Sequence, residues 1–125
     1  MILKHKDDQE GVDVIKKMSK SEIIENADEL LRALADINWP IAGSVSSVLA
    51  YHINDIENNV IKVLLGGDLE WKYSLTILIL YHSKIKPSDK IMNVLKSQIK
   101  SPLIGEEGSE FIEECIDVVE KWEVT

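Results

Sequence analysis

The sequence predicts an all-α fold, a right-handed stack of antiparallel helical hairpins with about six to seven helices. Three observations support this prediction. Apolar residues recur at helical spacing along most of the chain, cap residues or glycines separate the segments, and a short motif repeats after 32 residues. No Asn-Gly or Asp-Gly pair lies between alternating apolar runs, so a sheet has little support. The chain has no linker-like stretch, and we expect one domain over residues 1–125.

The N-terminal part of the chain contains a short helix and then an apolar stripe of helical period. We expect the short helix at about Gln9–Met18. The stripe covers residues 23–37, with apolar residues at steps of four and three. Asn26 and Glu29 have the spacing of a capping box inside this stripe, so we expect a kink or a break there.

Two further stripes follow, over residues 41–52 and 56–64. Pro40 stands where a first-turn proline belongs, because its missing N–H would have no partner within the helix. Asn54 and Glu57 have capping-box spacing at the start of the third stripe. A pair of glycines then ends it.

The fourth segment begins at Asp68, continues to about His82 and is apolar nearly all round from Leu75 to Tyr81. A buried strand is the alternative for a run this short and β-branched. We favour a central buried helix, because Asp68 is a good N-cap and follows the glycine pair. Leu78 would then be buried on all sides.

Two more helices complete the prediction. Ser88 is the expected N-cap of the fifth helix, which ends before Pro102. Ser109 is the expected N-cap of the last helix. The inward-facing residues of that helix are predicted to be Phe111, Ile112, Cys115, Val119 and Trp122.

One motif occurs twice. Asp36-Ile37-Asn38-Trp39 and Asp68-Leu69-Glu70-Trp71 share the pattern Asp-apolar-polar-Trp. Each copy opens a predicted helix, and the apolar stripes would continue in register at the same offset. A period near this length is typical of helical hairpin repeats. If the repeat is real, each hairpin buries its stripe against the next one.

Charge and cysteine content exclude several classes of function. The net charge is −8, and Arg32 is the single arginine, so we expect no nucleic-acid partner. No apolar run is long enough to span a bilayer, and no signal-peptide pattern begins the chain, so we expect no membrane partner. The single Cys115 cannot form an intrachain disulfide and suits a reducing compartment. These features predict a cytoplasmic protein.

The sequence contains no recognisable catalytic or metal-binding motif. His52 and Asp55 lie three residues apart, but no third ligand follows at a convincing spacing. Phosphate loops, paired cysteines and nucleophile elbows are absent from the sequence. We therefore expect no metal, no cofactor and no enzymatic activity, and we interpret Cys115 as a buried thiol of the core.

The first candidate surface comprises the aromatic residues at the two repeated helix starts. Trp39, Trp71 and Tyr73 combine large apolar area with a polar group, which suits both cores and binding surfaces. Polar residues accompany them, and we expect Lys72 to lie between the two helix starts and to meet Asp36 or Asp8. The predicted binding residues are Asp8, Asp36, Asn38, Trp39, Asp68, Trp71, Lys72 and Tyr73. Plain core packing of the tryptophans remains the alternative.

The second candidate surface is the acidic C-terminal helix. Eight acids and one lysine occur between Glu106 and Glu123, whereas five lysines and one acid occur between Lys84 and Lys100. The last two helices would neutralise each other if they lay side by side. Alternatively, an anionic face would attract a basic protein. The residues of this predicted face are Glu106, Glu110, Glu113, Glu114 and Asp117.

At these residues the sequence resembles a known family. Asn38-Trp39-Pro40, Trp71-Lys72-Tyr73 and the N-terminal Lys4-x-Lys6-x-Asp8 resemble the bacterial family called domain of unknown function five thousand and seventy-one. The resemblance covers about Leu3 to Trp122. It implies a superhelix of HEAT-like hairpins and a bacterial protein, and it implies no activity. In this family a proline precedes the first lysine, whereas this chain has Leu3 there.

The sequence therefore favours a non-enzymatic helical module that binds an unidentified protein. In size and acidity the chain resembles the immunity proteins that neutralise secreted bacterial toxins, which is an analogy only. The alternative is a small-molecule-binding protein or an enzyme with a pocket at the helix starts of Trp39 and Trp71, and a third interpretation is a structural helical scaffold without a ligand. Convergence of Asp8, Asp36 and Asp68 in one concave pocket would favour that alternative.

Overall fold

The structure is a computed structural model that describes residues 2–123. Met1, Val124 and Thr125, which the predicted domain 1–125 also includes, lie outside the described residues. The eight α-helices are α1 Gln9–Lys16, α2 Lys20–Glu25, α3 Ala27–Arg32, α4 Pro40–Leu49, α5 Glu57–Leu64, α6 Leu69–Leu75, α7 Asp89–Lys100 and α8 Glu110–Glu123, with a π-helical segment, Thr76–Tyr81, continuing α6. The described residues contain no strand, so the all-α prediction is confirmed.

The helix count exceeds the predicted six to seven, because the stripe over residues 23–37 divides into α2 and α3. The break is at Asn26, as the sequence predicts, but the predicted capping box does not form there. The Asn26 side chain donates to the Glu22 carbonyl at 2.9 Å. A capping box forms instead at the start of α2, between Ser19 and Glu22.

Three other predicted N-caps form, whereas the predicted cap at Asn54 does not. Asp68, Ser88 and Ser109 each accept a backbone N–H from the first turn of the helix that follows, as predicted. Asn54 does not cap α5. Its side chain donates to the Lys86 carbonyl at 2.9 Å and accepts from the Ser88 N–H at 2.8 Å. This amide therefore links the start of α5 to the start of α7.

Two rows of helices pack against each other. In one row α1 contacts α4, α4 contacts the π-helical segment, and that segment contacts α8. In the other row α3 contacts α5, and α5 contacts α7. Contacts of α5 with α6 and of α7 with α8 join the rows, and their buried apolar side chains form one core cluster.

The Asp-x-x-Trp repeat begins two helices that are not built alike. Trp39 is the N-cap of α4, whereas Trp71 lies inside the first turn of α6. The buried positions consequently repeat after 34 residues rather than 32: Ile41 corresponds to Leu75 and Val45 to Ile79. The predicted register at 32 residues is therefore wrong, although a repeated burial pattern exists.

The fourth predicted helix is one continuous rod whose second half is π-helical. The Thr76 hydroxyl donates to the Lys72 carbonyl at 2.6 Å, and the His82 N–H bonds to the carbonyl of Ile77, five residues earlier. Such widened turns let side chains compete for the helix carbonyls. Leu78 is only partly buried, so the expectation of burial on all sides is wrong there. The rod contacts α4 and α8 but leaves one side partly open.

None of the helices in residues 2–123 has both the length and the apolar surface that crossing a bilayer requires.

Candidate functional site

Three clefts open around the starts of α4, α6 and α8. The first, which we call the basic groove, has a volume of about 680 Å³. It lies between the N-terminal arm, α3 and the start of α4, and its lining residues are Leu3, Lys4, His5, Lys6, Asp28, Glu29, Arg32, Ala33, Trp39 and Ile41. A central cleft of about 250 Å³ lies beside Asp68 and Trp71.

The third cleft, which we call the acidic cleft, has a volume of about 530 Å³. It brings together the loop before α4, the first turn of α6 and the first turn of α8. Its lining residues are Ile37, Asn38, Leu69, Glu70, Tyr73, Ser109, Glu110 and Phe111. Two predicted binding residues, Asn38 and Tyr73, thus share a cleft with Glu110 of the predicted acidic face.

The three predicted site aspartates cap separate backbone segments. Asp8 accepts from the N–H groups of Gly11 at 3.0 Å and Lys4 at 2.9 Å, and these bonds hold the pKa of its carboxyl below the ordinary value. Asp36 accepts from the Asn38 N–H at 2.8 Å, and Asp68 accepts from the Trp71 N–H at 3.1 Å. Each carboxylate therefore stabilises its own turn, and the three do not form one site.

The two repeated tryptophans both pack on the core with part of the ring exposed, so packing and surface roles are combined in each. Trp71 donates its indole N–H to the Leu31 carbonyl at 2.9 Å, and the Arg32 guanidinium lies 5.1 Å from the ring centroid of Trp71. Trp39 lines the basic groove, whereas Trp71 lines the central cleft.

Lys72 is not part of an exposed polar site. Its side chain is fully buried, and the ammonium donates to both carboxylate oxygens of Glu106 at 2.8 and 2.9 Å. It also donates to the Gly66 carbonyl at 3.0 Å and lies 4.8 Å from the ring centroid of Phe111. The expectation that Lys72 meets Asp36 or Asp8 is wrong, because its ammonium group is bonded to Glu106 from the loop before α8.

This ion pair also removes Glu106 from the predicted acidic face. Only 5% of Glu106 is exposed, and its charge is compensated by Lys72. Buried charges persist when a hydrogen-bonded partner neutralises them. The pair joins the loop between α7 and α8 to the first turn of α6 and therefore fixes one wall of the acidic cleft.

The remaining acidic residues of the predicted face lie on α8 without cationic partners. Among residues 2–123, the carboxylates of Glu110, Glu113, Glu114 and Asp117 form no ion pair. Burial and the neighbouring charges of Asp117 and Glu113 raise the pKa of Glu114. We call these four residues the acidic surface.

The electrostatic effect of the acidic surface reaches into the acidic cleft. Burial, with the charges of Glu110 and Glu114, raises the pKa of the Tyr73 hydroxyl. Repulsion of this kind indicates negative charge that the fold leaves uncompensated. The acidic cleft therefore brings the phenol of Tyr73 and the side chains of Glu70 and Glu110 to one concave surface.

The lysines of α7 do not neutralise this surface. The helices α7 and α8 pack side by side, but the single ion pair between them joins Lys96 to Glu123 at 2.5 Å within the described residues. Lys90 donates instead to the Asn58 side chain on α5 at 2.9 Å. Mutual neutralisation of the last two helices is therefore limited to one pair near the end of α8.

The histidine and cysteine candidates have local structural surroundings. His52 contacts Asp55 at 3.2 Å, and Asp55 also pairs with Lys20 at 3.3 Å. No group of three or more metal-ligating side chains occurs within residues 2–123. Cys115 is buried, and burial raises the pKa of its thiol to about 12, which keeps the thiolate unavailable at neutral pH.

The basic groove is not predicted by any sequence motif of the chain. Lys4 and Lys6 are distant from Arg32 in sequence, and only the fold places the arm beside α3. The sequence contains two related features, the single arginine and the Lys4-x-Lys6 pair, and neither indicates by itself that they meet in one groove.

Comparison with known proteins identifies the family. The search of curated proteins found no match. A family described as a domain of unknown function, DUF5071, matches residues 1–122, which is nearly the whole chain and includes every helix start that borders the clefts. The chain therefore belongs to the DUF5071 family.

Proposed function

We propose that this protein is a non-enzymatic interaction module that binds a basic protein through the acidic surface and the adjoining acidic cleft. One observation supports this proposal most strongly. The acidic surface has four carboxylates on α8 without cationic partners among the described residues, and the start of that helix lines a cleft of about 530 Å³.

The acidic cleft suits a lysine or arginine side chain of the partner. The carboxylates of Glu70 and Glu110 would pair with the cation, and the Tyr73 ring offers an aromatic contact beside them. Pairing would also relieve the repulsion that raises the pKa values of Tyr73 and Glu114. Complementary charge of this kind accelerates association and rejects wrong partners more than it adds affinity.

We extend the proposal to the architecture and the setting of the module. The two rows of contacting helices support a HEAT-like right-handed superhelix, in which the exposed side of α8 carries the acidic surface. The buried free thiol of Cys115 is compatible with a cytoplasmic location. Under this proposal the protein acts like an immunity protein, and it covers a basic partner with its acidic end.

The alternative, an enzyme or small-molecule site that uses Asp8, Asp36 and Asp68, receives less support. These carboxylates cap separate segments. A small-molecule site is favoured by a different feature, the basic groove.

Affinity capture from the native host, with two matched variants, tests the proposal. The surface variant is Glu110→Gln, Glu113→Gln, Asp117→Asn, and the control variant is Glu10→Gln, Asp13→Asn, Glu25→Gln. All six side chains are exposed, and both variants lose three negative charges. We expect the wild type and the control to retain one basic protein that the surface variant loses. Retention by the surface variant, or a partner that is acidic, would refute the proposal.

A further inference from the structure

The basic groove has one wall that is made by the N-terminal arm and fixed in place by hydrogen bonds. The Glu29 side chain accepts from the N–H groups of Ile2 at 2.6 Å and Leu3 at 2.9 Å. The Lys6 carbonyl accepts from the Ile41 N–H at 3.2 Å. The arm is thus bonded to α3 on one side and to the start of α4 on the other, which holds the groove open between them.

The acids of the groove are already engaged with neighbours. Glu29 is bonded to the arm, as described above. Asp28 accepts from Asn59 at 2.9 Å and from Lys62 at 3.3 Å, and these bonds hold the pKa of its carboxyl below the ordinary value. The negative charge that lines the groove is therefore partly balanced before any ligand arrives.

The cations of the groove are not engaged in the same way. Within the described chain, Lys4, Lys6 and Arg32 form no ion pair. The Arg32 guanidinium lies over the Trp71 ring at 5.1 Å, a contact that orients the group without occupying its N–H donors. The groove lining thus has three cations, Lys4, Lys6 and Arg32, against two acids, on a chain whose net charge is −8.

From this geometry we propose that the basic groove binds a small organic acid that has an apolar body. The side chains of Leu3, Ala33, Trp39 and Ile41 supply apolar contact. The guanidinium and the two ammonium groups supply donors for the carboxylate. The groove volume of about 680 Å³ is within the range of roughly 300–1,000 Å³ that small-molecule sites occupy.

The charge distribution favours a small anion over an acidic protein. At physiological ionic strength, exposed charges are screened beyond roughly 8 Å. A small carboxylate inside the groove interacts mainly with the charges that line it, which are three cations and two acids already bonded to neighbours. An acidic protein would cover a much larger area and would also face the excess of carboxylates on the surrounding surface.

Calorimetric titration with decanoate, below its micelle-forming concentration, tests this proposal. We expect saturable binding of one decanoate per chain. Lys6→Gln and Arg32→Gln should each weaken binding about tenfold, the effect of losing a charge-assisted bond. Lys6 is exposed, and among residues 2–123 its side chain forms no ion pair, so its replacement tests the site even if Arg32→Gln disturbs Trp71.

Two controls separate this site from general effects of charge and apolarity. Lys16→Gln removes an exposed lysine outside the groove and should leave decanoate binding within twofold of the wild type. Decanol, which has the same chain without the carboxylate, should bind at least tenfold more weakly than decanoate. Equal binding of decanol and decanoate, equal effects of Lys6→Gln and Lys16→Gln, or no saturable binding would each overturn the proposal.

The surface variant of α8 makes this test independent of the proposed function. It leaves all lining residues of the basic groove intact, so it should bind decanoate as the wild type does. Failure of decanoate binding would therefore leave the proposed protein-binding role in place, and loss of partner capture would leave the groove in place.

Discussion

Glu106 and Glu110 are four residues apart in the same acidic segment, yet the structure gives them opposite surroundings. Glu106 is buried, and both of its carboxylate oxygens bond to the Lys72 ammonium. Glu110 is exposed at the start of α8, lines the acidic cleft and forms no ion pair among the described residues. Compensation of charge, rather than charge itself, therefore distinguishes a carboxylate that stabilises the fold from one that is available to a partner.

The largest expected effect comes from breaking the buried pair. Glu106→Gln should destabilise the protein by about 3–5 kcal/mol, because an uncompensated ammonium remains buried. Urea unfolding of the wild type and the variant measures this difference. The double variant Lys72→Met, Glu106→Leu is the control, and it should recover most of the loss, since no buried charge remains. A loss below about 1 kcal/mol in Glu106→Gln would show that the pair is not a structural element.

Two apolar residues of the same helical rod should differ in the free energy lost on truncation to alanine, because they differ in burial. Leu75 is fully buried, and Leu75→Ala should cost about 2–5 kcal/mol of unfolding free energy. Leu78, three residues later, is partly buried, so Leu78→Ala should cost less than about 2 kcal/mol. Thermal unfolding of both variants compares them. Equal losses would contradict the partial exposure of the π-helical segment.

Removal of the Ser109 cap, which lies between Glu106 and Glu110 in the chain, should have an intermediate effect on stability. Ser109 accepts from the Ile112 N–H at 3.3 Å, so Ser109→Ala should cost about 1 kcal/mol, the usual effect of losing an N-cap. Hydrogen exchange in the first turn of α8 should increase at the same time. Unchanged stability together with unchanged exchange would mean that the buried pair alone positions this helix start.

The smallest effect is expected from the acidic surface, and its sign is opposite. Glu114→Gln should stabilise the protein by about 0.2–0.5 kcal/mol at neutral pH, because like charges one turn apart repel. The raised pKa of Glu114 means that the folded state holds its proton more tightly than the unfolded chain. This residue's stabilising contribution is thus present at low pH and lost as the pH rises through the folded-state pKa. Unfolding curves across that range should show a smaller decline for Glu114→Gln than for the wild type.

The sequence predicted the parts of the fold that depend on local patterns. Apolar periodicity located the helices, and Asp68, Ser88 and Ser109 were identified as caps because a cap needs only the next turn. The predicted capping boxes at Asn26 and Asn54 failed, since spacing does not reveal a competing partner. For Asn54 that partner is the backbone of Lys86 and Ser88, which only the packing of α5 against α7 brings near.

The candidate site was predictable to a smaller extent for the same reason. Tyr73, Asn38 and Glu110 were each singled out, but their meeting in one cleft depends on the packing of three helix starts. The sequence predicts an exposed position for Lys72 because a buried lysine is rare, and its actual partner is 34 residues away in the chain. The basic groove depends on the path of the N-terminal arm, which no local pattern specifies.

The central claim is that the uncompensated acidic surface, and not the net charge, recognises a basic partner. The most direct test is the association rate constant with the captured partner, measured by stopped-flow over a series of salt concentrations. For the wild type we expect the rate to fall steeply as salt rises, as it does for electrostatically steered association. The surface variant Glu110→Gln, Glu113→Gln, Asp117→Asn should be slower at low salt and nearly independent of salt, whereas the control variant Glu10→Gln, Asp13→Asn, Glu25→Gln should follow the wild type. Identical salt dependence for the two variants would contradict the claim.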